Sequence, residues 1–425
     1  MLDCKYIVDN LDAVKRNIAN RFMKADADAV AALYARRTAL STALQALQQK
    51  RNANAASMKG KLDPERRAAL VEEGRKLKDE IAGAEAELDA AEKELALRAR
   101  EIPNMAHLDA PVGKEDKDNL EVKRVGEIPR FDFEPADHVR LGQDLDIIDF
   151  DAGTKVSGTK FYYLKNEGVF LELGLVRYAL DILVKKGFAP FVTPDIARAE
   201  ILEGIGFNPR GAESNVYALE GEDACLVGTA EITLGGYHSG EIIAKDRLPL
   251  RMAGLSHCFR REAGAAGQFS KGLYRVHQFT KLEMFVLCLP EQSESLHMEL
   301  REIEEEIFAG LEIPFRVVDT CTGDLGAPAY RKWDLEAWMP GRGGSGDWGE
   351  VTSASNCTDY QARRLNARYK DDDGKNRFVH MLNGTAVAVS RAIVALLECH
   401  QRADGSVRIP GALAPYVGFD AIGKK

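Results

Sequence analysis

The 425-residue chain carries 57 Lys and Arg against 66 Asp and Glu, a formal net charge of −9, with 45% hydrophobic and 29% charged residues. That length predicts about two or three domains, and the composition is ordinary for a soluble globular protein. The acidic balance excludes a wholly basic nucleic-acid coat but leaves room for local basic patches, and no run of about twenty apolar residues offers a membrane span.

Seven cysteines (Cys4, Cys225, Cys258, Cys288, Cys321, Cys357 and Cys399) form no C-x-x-C pair. A disulfide framework is therefore not expected, and no zinc is expected either, because Cys258 beside His257 lacks a second paired cluster. The N-terminus, MLDCKYIVDNLDAVKRN, mixes acids and bases and reads as neither a signal nor a transit peptide. A cytoplasmic location is expected, or an organelle matrix if a leader was removed.

Residues 27 to about 101 are rich in Ala, Leu, Glu, Lys and Arg. Leu33, Arg37, Leu40, Leu44 and Leu47 step by four and three, and the series turns polar at Arg51 and Asn54. Leu70, Gly74, Leu77, Ile81, Ala84, Leu88, Ala91 and Leu95 repeat the spacing. Two heptad segments are predicted, joined by SMKGKLDPERR, where Gly60 breaks the first helix and Asp63 caps the second ahead of Pro64. They fold best as an antiparallel hairpin of roughly 45–55 Å. Lys50, Arg51, Lys59, Lys61, Arg66 and Arg67 crowd toward its tip. By pattern alone the hairpin is either a solvated or dimer-forming coiled coil or a reader of a phosphate backbone.

Ile102-Pro103 ends the second helix. Residues 1–103 are read as an N-terminal domain, 104–136 as a linker rich in charge, Gly and Pro, and 137–425 as one large domain. A helix is predicted from Gly168 to Lys185, ending at Gly187. Strand signals recur at KFYYLK, ahead of that helix, and at RVHQFTKLEMFVLCL, FRVVDT and WGEVTSASNC after it, with a last helix near Thr385. These strands lie too close together for βαβ crossovers, so an α+β domain with a mainly antiparallel sheet is expected.

No P-loop and no G-x-G-x-x-G occurs, and the Gly-rich run GRGGSGDWGE (341–350) reads as a flexible turn. The strongest segment is FRREAGAAGQFSKGLYRVHQFTKLEMF (259–285). Strand alternation puts Arg260 and Glu262 on one face, and Arg275, His277, Phe279, Lys281 and Glu283 on one face of the next strand. Such a face suits nucleotide-driven acyl activation. A guanidinium clamps a phosphate bidentately, a phenyl ring stacks on a purine, and a carboxylate accepts from an amine.

This segment resembles the second signature motif of class II aminoacyl-tRNA synthetases in its seryl form. The chain around Gly187, Pro190 and Pro194 resembles the first motif, and LNGTAVAVSRAIVALLE (382–398) the third. VGTAE (227–231) and EVTSASNCTDYQARR (350–364) resemble further seryl segments, and the heptad arm resembles the family's tRNA-binding domain. The resemblance implies a class II antiparallel catalytic domain, flanked by helices, that activates L-serine with ATP and transfers it to tRNA(Ser), and to tRNA(Sec) where one exists. It implies a homodimer, with no membrane or DNA partner. It also implies Arg260 on the α-phosphate, Arg261 and Glu262 beside ATP, Val276 and Phe279 on adenine, and Arg391 on the γ-phosphate. Glu350, Val351, Thr352 and Ser353 would line the ATP site, with Glu350 and Ser353 holding Mg²⁺. Thr229, Ala230, Glu231, Glu283 and Thr385, together with Arg260, would bind serine, although Thr385 also suits a helix N-cap. The six basic residues at the tip would bind tRNA. Departures from the frequent third-motif pattern at Thr385, Ala386 and Ser390 bear on pocket geometry. Two other functions fit less of the sequence: a seryl-adenylate-forming paralogue that loads another acceptor, and a non-catalytic tRNA-binding regulator.

Overall fold

The computed structural model describes residues 1–208, 215–263 and 272–423. The chain falls into two compact units, Met1–Met105 and Ala106–Lys425.

The first unit is helical: α1 (Cys4–Asp9), α2 (Leu11–Asn20), α3 (Ala27–Ser57, 31 residues) and α4 (Pro64–Glu101, 38 residues). Cross-links fix α3 and α4 as antiparallel. Arg37 Nε meets Glu92 Oε1 at 3.0 Å, and Asn54 Nδ2 donates to Glu73 Oε2 at 2.9 Å. Along the seam Leu70, Leu77, Ile81, Ala91 and Leu95 are buried, while Leu33, Leu40, Leu44 and Leu47 are half-buried. Where the seam turns polar, Asn54 is itself buried, and a Cβ on Gly74 would lie 3.3 Å from its Oδ1. Between the helices Gly60 adopts φ +107°, and Asp63 caps α4 by accepting from the Arg66 amide at 2.8 Å. Lys50, Arg51, Lys59, Lys61, Arg66 and Arg67 are all exposed.

The second unit is built on an eight-stranded sheet: β1 (Leu120–Val125), β2 (Ala189–Val192), β3 (Leu250–Phe259), β4 (Gln278–Cys288), β5 (Phe315–Asp319), β6 (Arg331–Met339), β7 (Asp347–Asn356) and β8 (His380–Ala388). Its spatial order is β1-β5-β6-β7-β8-β4-β3-β2, antiparallel throughout except for the parallel pair β2–β3. The helices that matter for the site are α5 (Glu167–Lys185), α6 (Ala230–Tyr237), α7 (Ser293–Gly310) and α8 (Val389–Cys399).

Strand alternation sorts the two faces of the sheet. On β4, Leu282, Met284, Val286 and Cys288 join the large core with Leu171 and Leu175 of α5, Ile303 and Ile307 of α7, and Ile393 and Leu396 of α8. Phe285 and Leu287 point the other way, into a second core with Ile232 and Leu234 of α6. Lys281 and Glu283 share that second face at its uncovered end. The expected α+β architecture with an antiparallel sheet is what forms.

Several elements differ from expectation. The segment read as a linker contains β1, an edge strand whose residues are nearly all exposed, with Leu120 and Val122 turned outward rather than to a core. KFYYLK contributes only Tyr163–Leu164, paired with Ile148–Asp149 in a separate small sheet. The last helix begins at Val389 rather than near Thr385, because Asn383, Gly384 and Thr385 are strand residues paired to Phe285, Met284 and Glu283. Thr385 is therefore no N-cap. Among the described residues no helix is long and apolar enough to cross a membrane.

Candidate active site

The uncovered end of the sheet forms a cleft lined by Arg260, Glu262, Tyr274, Arg275, Val276, Phe279, Lys281, Glu350, Val351, Thr352, Ser353, Thr385, Ala388, Ser390 and Arg391. β3 ends at Phe259, so Arg260 and Glu262 lie beyond it and strand parity does not govern them. Arg260 is fixed instead by a two-point backbone clamp. Its amide donates to His277 O at 3.0 Å, and His277 Nδ1 bonds to its carbonyl at 2.9 Å. Its Nε donates to Gly228 O at 3.3 Å, and its guanidinium lies 5.3 Å from the Phe279 ring centroid. Glu262 adopts φ +49°, which turns its carboxylate to accept from Arg275 Nη1 at 3.1 Å. Arg261 and His277 do not line the cleft. The Arg261 amide donates to Asn215 O at 2.9 Å, and the His277 ring packs 5.3 Å from that of Phe161. Most of the Gly-rich loop, residues 264–271, lies outside the described residues.

Two β-bulges bring the remaining groups into the cleft. Glu350 and Ser353 are three apart and would face opposite sides of a regular strand. The β6–β7 register shifts, pairing Thr352 with Leu335 but Glu350 with Glu336, so Val351 is the extra residue and both polar groups turn to one side. A second shift pairs Thr385 with Glu283 and Val387 with Leu282, which makes Ala386 the bulged residue. The small side chain of Ala386 therefore sits at 0% exposure in a bulge.

Arg391 enters from the first turn of α8. Its Nη1 donates to Glu350 O at 2.9 Å and lies 3.3 Å from Glu350 Oε1, while its Nε donates to Tyr274 O at 3.4 Å. Burial pushes the Glu350 carboxyl upward, but Arg391, Lys332 and Arg260 outweigh it and hold the group below the usual carboxylate range. Glu350 is thus ionised and keeps access to the cleft.

Beside this lies a second polar cluster. Gly254 of β3 pairs with Glu283, and its missing Cβ lets α6 pack close, since an added Cβ would sit 2.9 Å from Ala230 Cβ. That approach delivers Thr229, the N-cap of α6, whose Oγ1 donates to Glu283 Oε2 at 3.3 Å. Thr385 Oγ1 lies 3.5 Å from the same oxygen, and Lys281 forms an ion pair with it. Glu283 is 2% exposed. Glu231 Oε1 accepts from Gln361 Nε2 at 2.8 Å and from Asn383 Nδ2 at 3.0 Å. Burial, followed by the Glu283 charge, pushes the Glu231 carboxyl up to about 7. The cluster gathers two carboxylates, two hydroxyls and one ammonium next to the cleft.

Sequence reasoning missed Tyr274, Gln361 and Asn383, which hold Glu350, Arg391 and Glu231 by hydrogen bonds. All three sit inside segments that drew attention for other residues, and only the fold reveals their partners.

Residues 1–106 match the family described as Seryl-tRNA synthetase N-terminal domain, and residues 216–400 match tRNA synthetase class II core domain (G, H, P, S and T). A serine–tRNA ligase from Treponema denticola is 72% identical over 423 residues, covering 100% of each chain. The chain belongs to the seryl-tRNA synthetase family. Among solved structures, the seryl-tRNA synthetase from Pyrococcus horikoshii complexed with ATP superposes with a TM-score of 0.92 at 40% identity, covering 100% of both chains. A cytoplasmic serine–tRNA ligase from Naegleria fowleri in complex with AMP gives 0.89 at 31% identity, covering 100% of this chain and 99% of that one. As a seryl-tRNA synthetase the chain is an aminoacyl-tRNA ligase of class II.

Proposed function

We propose that the cleft activates L-serine with ATP and passes the seryl group to tRNA(Ser), and to tRNA(Sec) where one exists. The observation that carries this reading is the convergence of Arg260, Phe279, Glu350 and Arg391 on one cleft beside the Glu283 cluster.

In the first step an oxygen of the serine carboxylate attacks the α-phosphorus of ATP. The new O–P bond forms as the bond to the bridging oxygen breaks, and pyrophosphate leaves. Arg260, anchored at both backbone groups, meets the α-phosphate. Phe279 and Val276 hold adenine, with Glu262 and the neighbouring Arg261 beside the nucleotide. Arg391, fixed by two carbonyls and a carboxylate, meets the γ-phosphate. Positioning and preorganised charge supply the catalysis, so no covalent nucleophile is required. In the second step the terminal ribose hydroxyl of tRNA attacks the seryl carbonyl and AMP departs.

The donor chemistry at Glu350 and Ser353 fits Mg²⁺. One ionised carboxylate and one hydroxyl face the same side, and this ion ordinarily takes one or two protein carboxylates with phosphate oxygens. When bound it would neutralise phosphate charge. Among the described residues no cluster of three His, Cys, Asp or Glu forms a cage made of protein alone.

Serine binds through Glu283 and Glu231, with Thr229, Thr385 and Ala230 closing the pocket. Hydroxyl partners left unpaired reject alanine, and the bulk of the surrounding side chains rejects threonine. The exposed basic residues of the hairpin tip contact the tRNA backbone. A homodimer is favoured by the apolar groups that α5 and its neighbours leave exposed, Phe170 at 54%, Leu173 at 61% and Val192 at 84%, beside the edge strand β2. We place the activity in the cytoplasm.

The test is ATP–pyrophosphate exchange with each amino acid in turn, followed by charging of a tRNA with a long variable arm. Exchange with serine and charging of that tRNA are expected. Exchange supported by another amino acid and not by serine would defeat the proposal.

A further inference from the structure

The Gly-rich run at 341–350 reads in sequence as a turn, yet the structure packs it tightly. An added Cβ at Gly346 would lie 2.3 Å from the Trp338 ring, and one at Gly349 would lie 3.1 Å from Arg342 Nη1 and 3.2 Å from Tyr274 Cε2. Gly346 makes room for Trp338, and Gly349 makes room for Arg342 and Tyr274. Its guanidinium lies 4.6 Å from the Tyr274 ring centroid, and that of Arg391 lies 4.8 Å from the same ring. Tyr274 is itself a junction: its hydroxyl donates to Glu350 O at 3.2 Å, and its carbonyl accepts from Arg391 Nε at 3.4 Å.

One buried carboxylate anchors both chain segments of this stack. Glu398 Oε2, on the same helix as Arg391, accepts from the Gly341 amide at 2.8 Å, next to Arg342. Glu398 Oε1 bonds to His138 Nδ1 at 2.7 Å, and His138 Nε2 accepts from the Leu273 amide at 3.1 Å, next to Tyr274. Arg342 itself does not line the cleft.

We propose that Arg342 is a positioning residue for the triphosphate end of ATP. It acts through Tyr274, holding the ring against which Arg391 is set and the hydroxyl that fixes the Glu350 backbone. A planar cation stacked on an aromatic face provides this hold, and lysine reproduces it only in part. The inference rests on the ATP reading of the cleft given above.

The experiment is steady-state ATP–pyrophosphate exchange on the full-length protein and on Arg342→Gln. Its expected result is a rise in the KM for ATP of roughly five- to tenfold, the scale of one cation–π contact. The KM for serine and inhibition by AMP should stay within twofold, because neither reports on the γ-phosphate end. Arg342→Lys should fall between the two proteins. A purely structural role for the run would lower the melting temperature and the active fraction without a selective change in the KM for ATP, and that result would overturn the proposal. So would an unchanged KM for ATP. Should Arg342→Gln fail to fold, Gly349→Ala, which crowds both Arg342 and Tyr274, is expected to raise the KM for ATP selectively, and its failure to do so counts equally against the proposal. Absence of serine-dependent exchange in the unaltered protein would instead remove the functional reading itself.

Discussion

Replacing Glu283 by Gln probes the serine pocket most sharply. Lys281, Thr229 and Thr385 all address Oε2, which leaves Oε1 for the substrate's ammonium or hydroxyl. A hydrogen bond to a charged group contributes about 1.5–3 kcal/mol. Losing two of them costs about 3–6 kcal/mol, or roughly a 100- to 20,000-fold rise in the KM for serine at 1.4 kcal/mol per decade. The same change leaves Lys281, 6% exposed, facing a neutral amide. Breaking a buried pair from one side costs roughly 3 kcal/mol, which lowers the melting temperature by about 6 °C for a unit of this size. Exchange kinetics and a thermal melt on the same preparation separate the two effects. The double variant Lys281→Met/Glu283→Gln should recover most of the melting temperature and none of the serine affinity. A KM for serine within threefold of the unaltered value in Glu283→Gln would refute the placing of serine at this carboxylate.

Glu231 gives a pH prediction. Its carboxyl, pushed up to about 7, keeps a proton in the free folded protein that the unfolded chain has already released. Stability of the free protein should therefore fall as pH rises from the ordinary carboxylate range to about 7 and level off above it, and Glu231→Gln should flatten that slope in denaturant titrations. Since the ionised form accepts from ammonium, the KM for serine should rise as pH drops below about 7; a KM constant from pH 5.5 to 7.5 would count against this role. Beneath the sheet, burial pushes the Glu304 carboxyl well above its usual value, which favours its neutral form, and its Oε2 accepts from Thr352 Oγ1 at 2.9 Å. Glu304→Gln should cost under about 1 kcal/mol and Glu304→Ala about 2–4 kcal/mol in denaturant unfolding, and equal costs would mean that the group is ionised. Deleting residues 34–94 should preserve serine-dependent exchange and cripple tRNA charging; unimpaired charging would reduce the hairpin to a structural element.

The parts of this molecule legible in its sequence are those where one local force dominates. The heptad spacing and the Gly60–Asp63–Pro64 signals place both long helices, because a coiled-coil seam needs only periodicity and caps. β4 is legible because it alternates between a core and a polar face. β6 carries the same signal in RKWDLEAWM, where Trp333, Leu335, Ala337 and Met339 enter the core and alternate with Lys332, Asp334 and Glu336, and the sequence reading passed over it. The helix boundary at Val389 is hidden because Asn383, Gly384 and Thr385 resemble a helix start while serving β8 and the pocket. Bulges leave no mark in composition, so the common orientation of Glu350 and Ser353 emerges only from the register. Arg342 stays silent for a related reason: its partner Tyr274 is 68 residues away in sequence and meets it only through the packing of a glycine run.

The most direct measurement is serine-dependent exchange by Arg260→Ala. If the clamped guanidinium holds the α-phosphate, kcat/KM should fall by roughly a thousandfold or more while the melting temperature stays within a few degrees. Near-normal exchange in a folded Arg260→Ala protein would contradict that placement and the nucleotide site built around it.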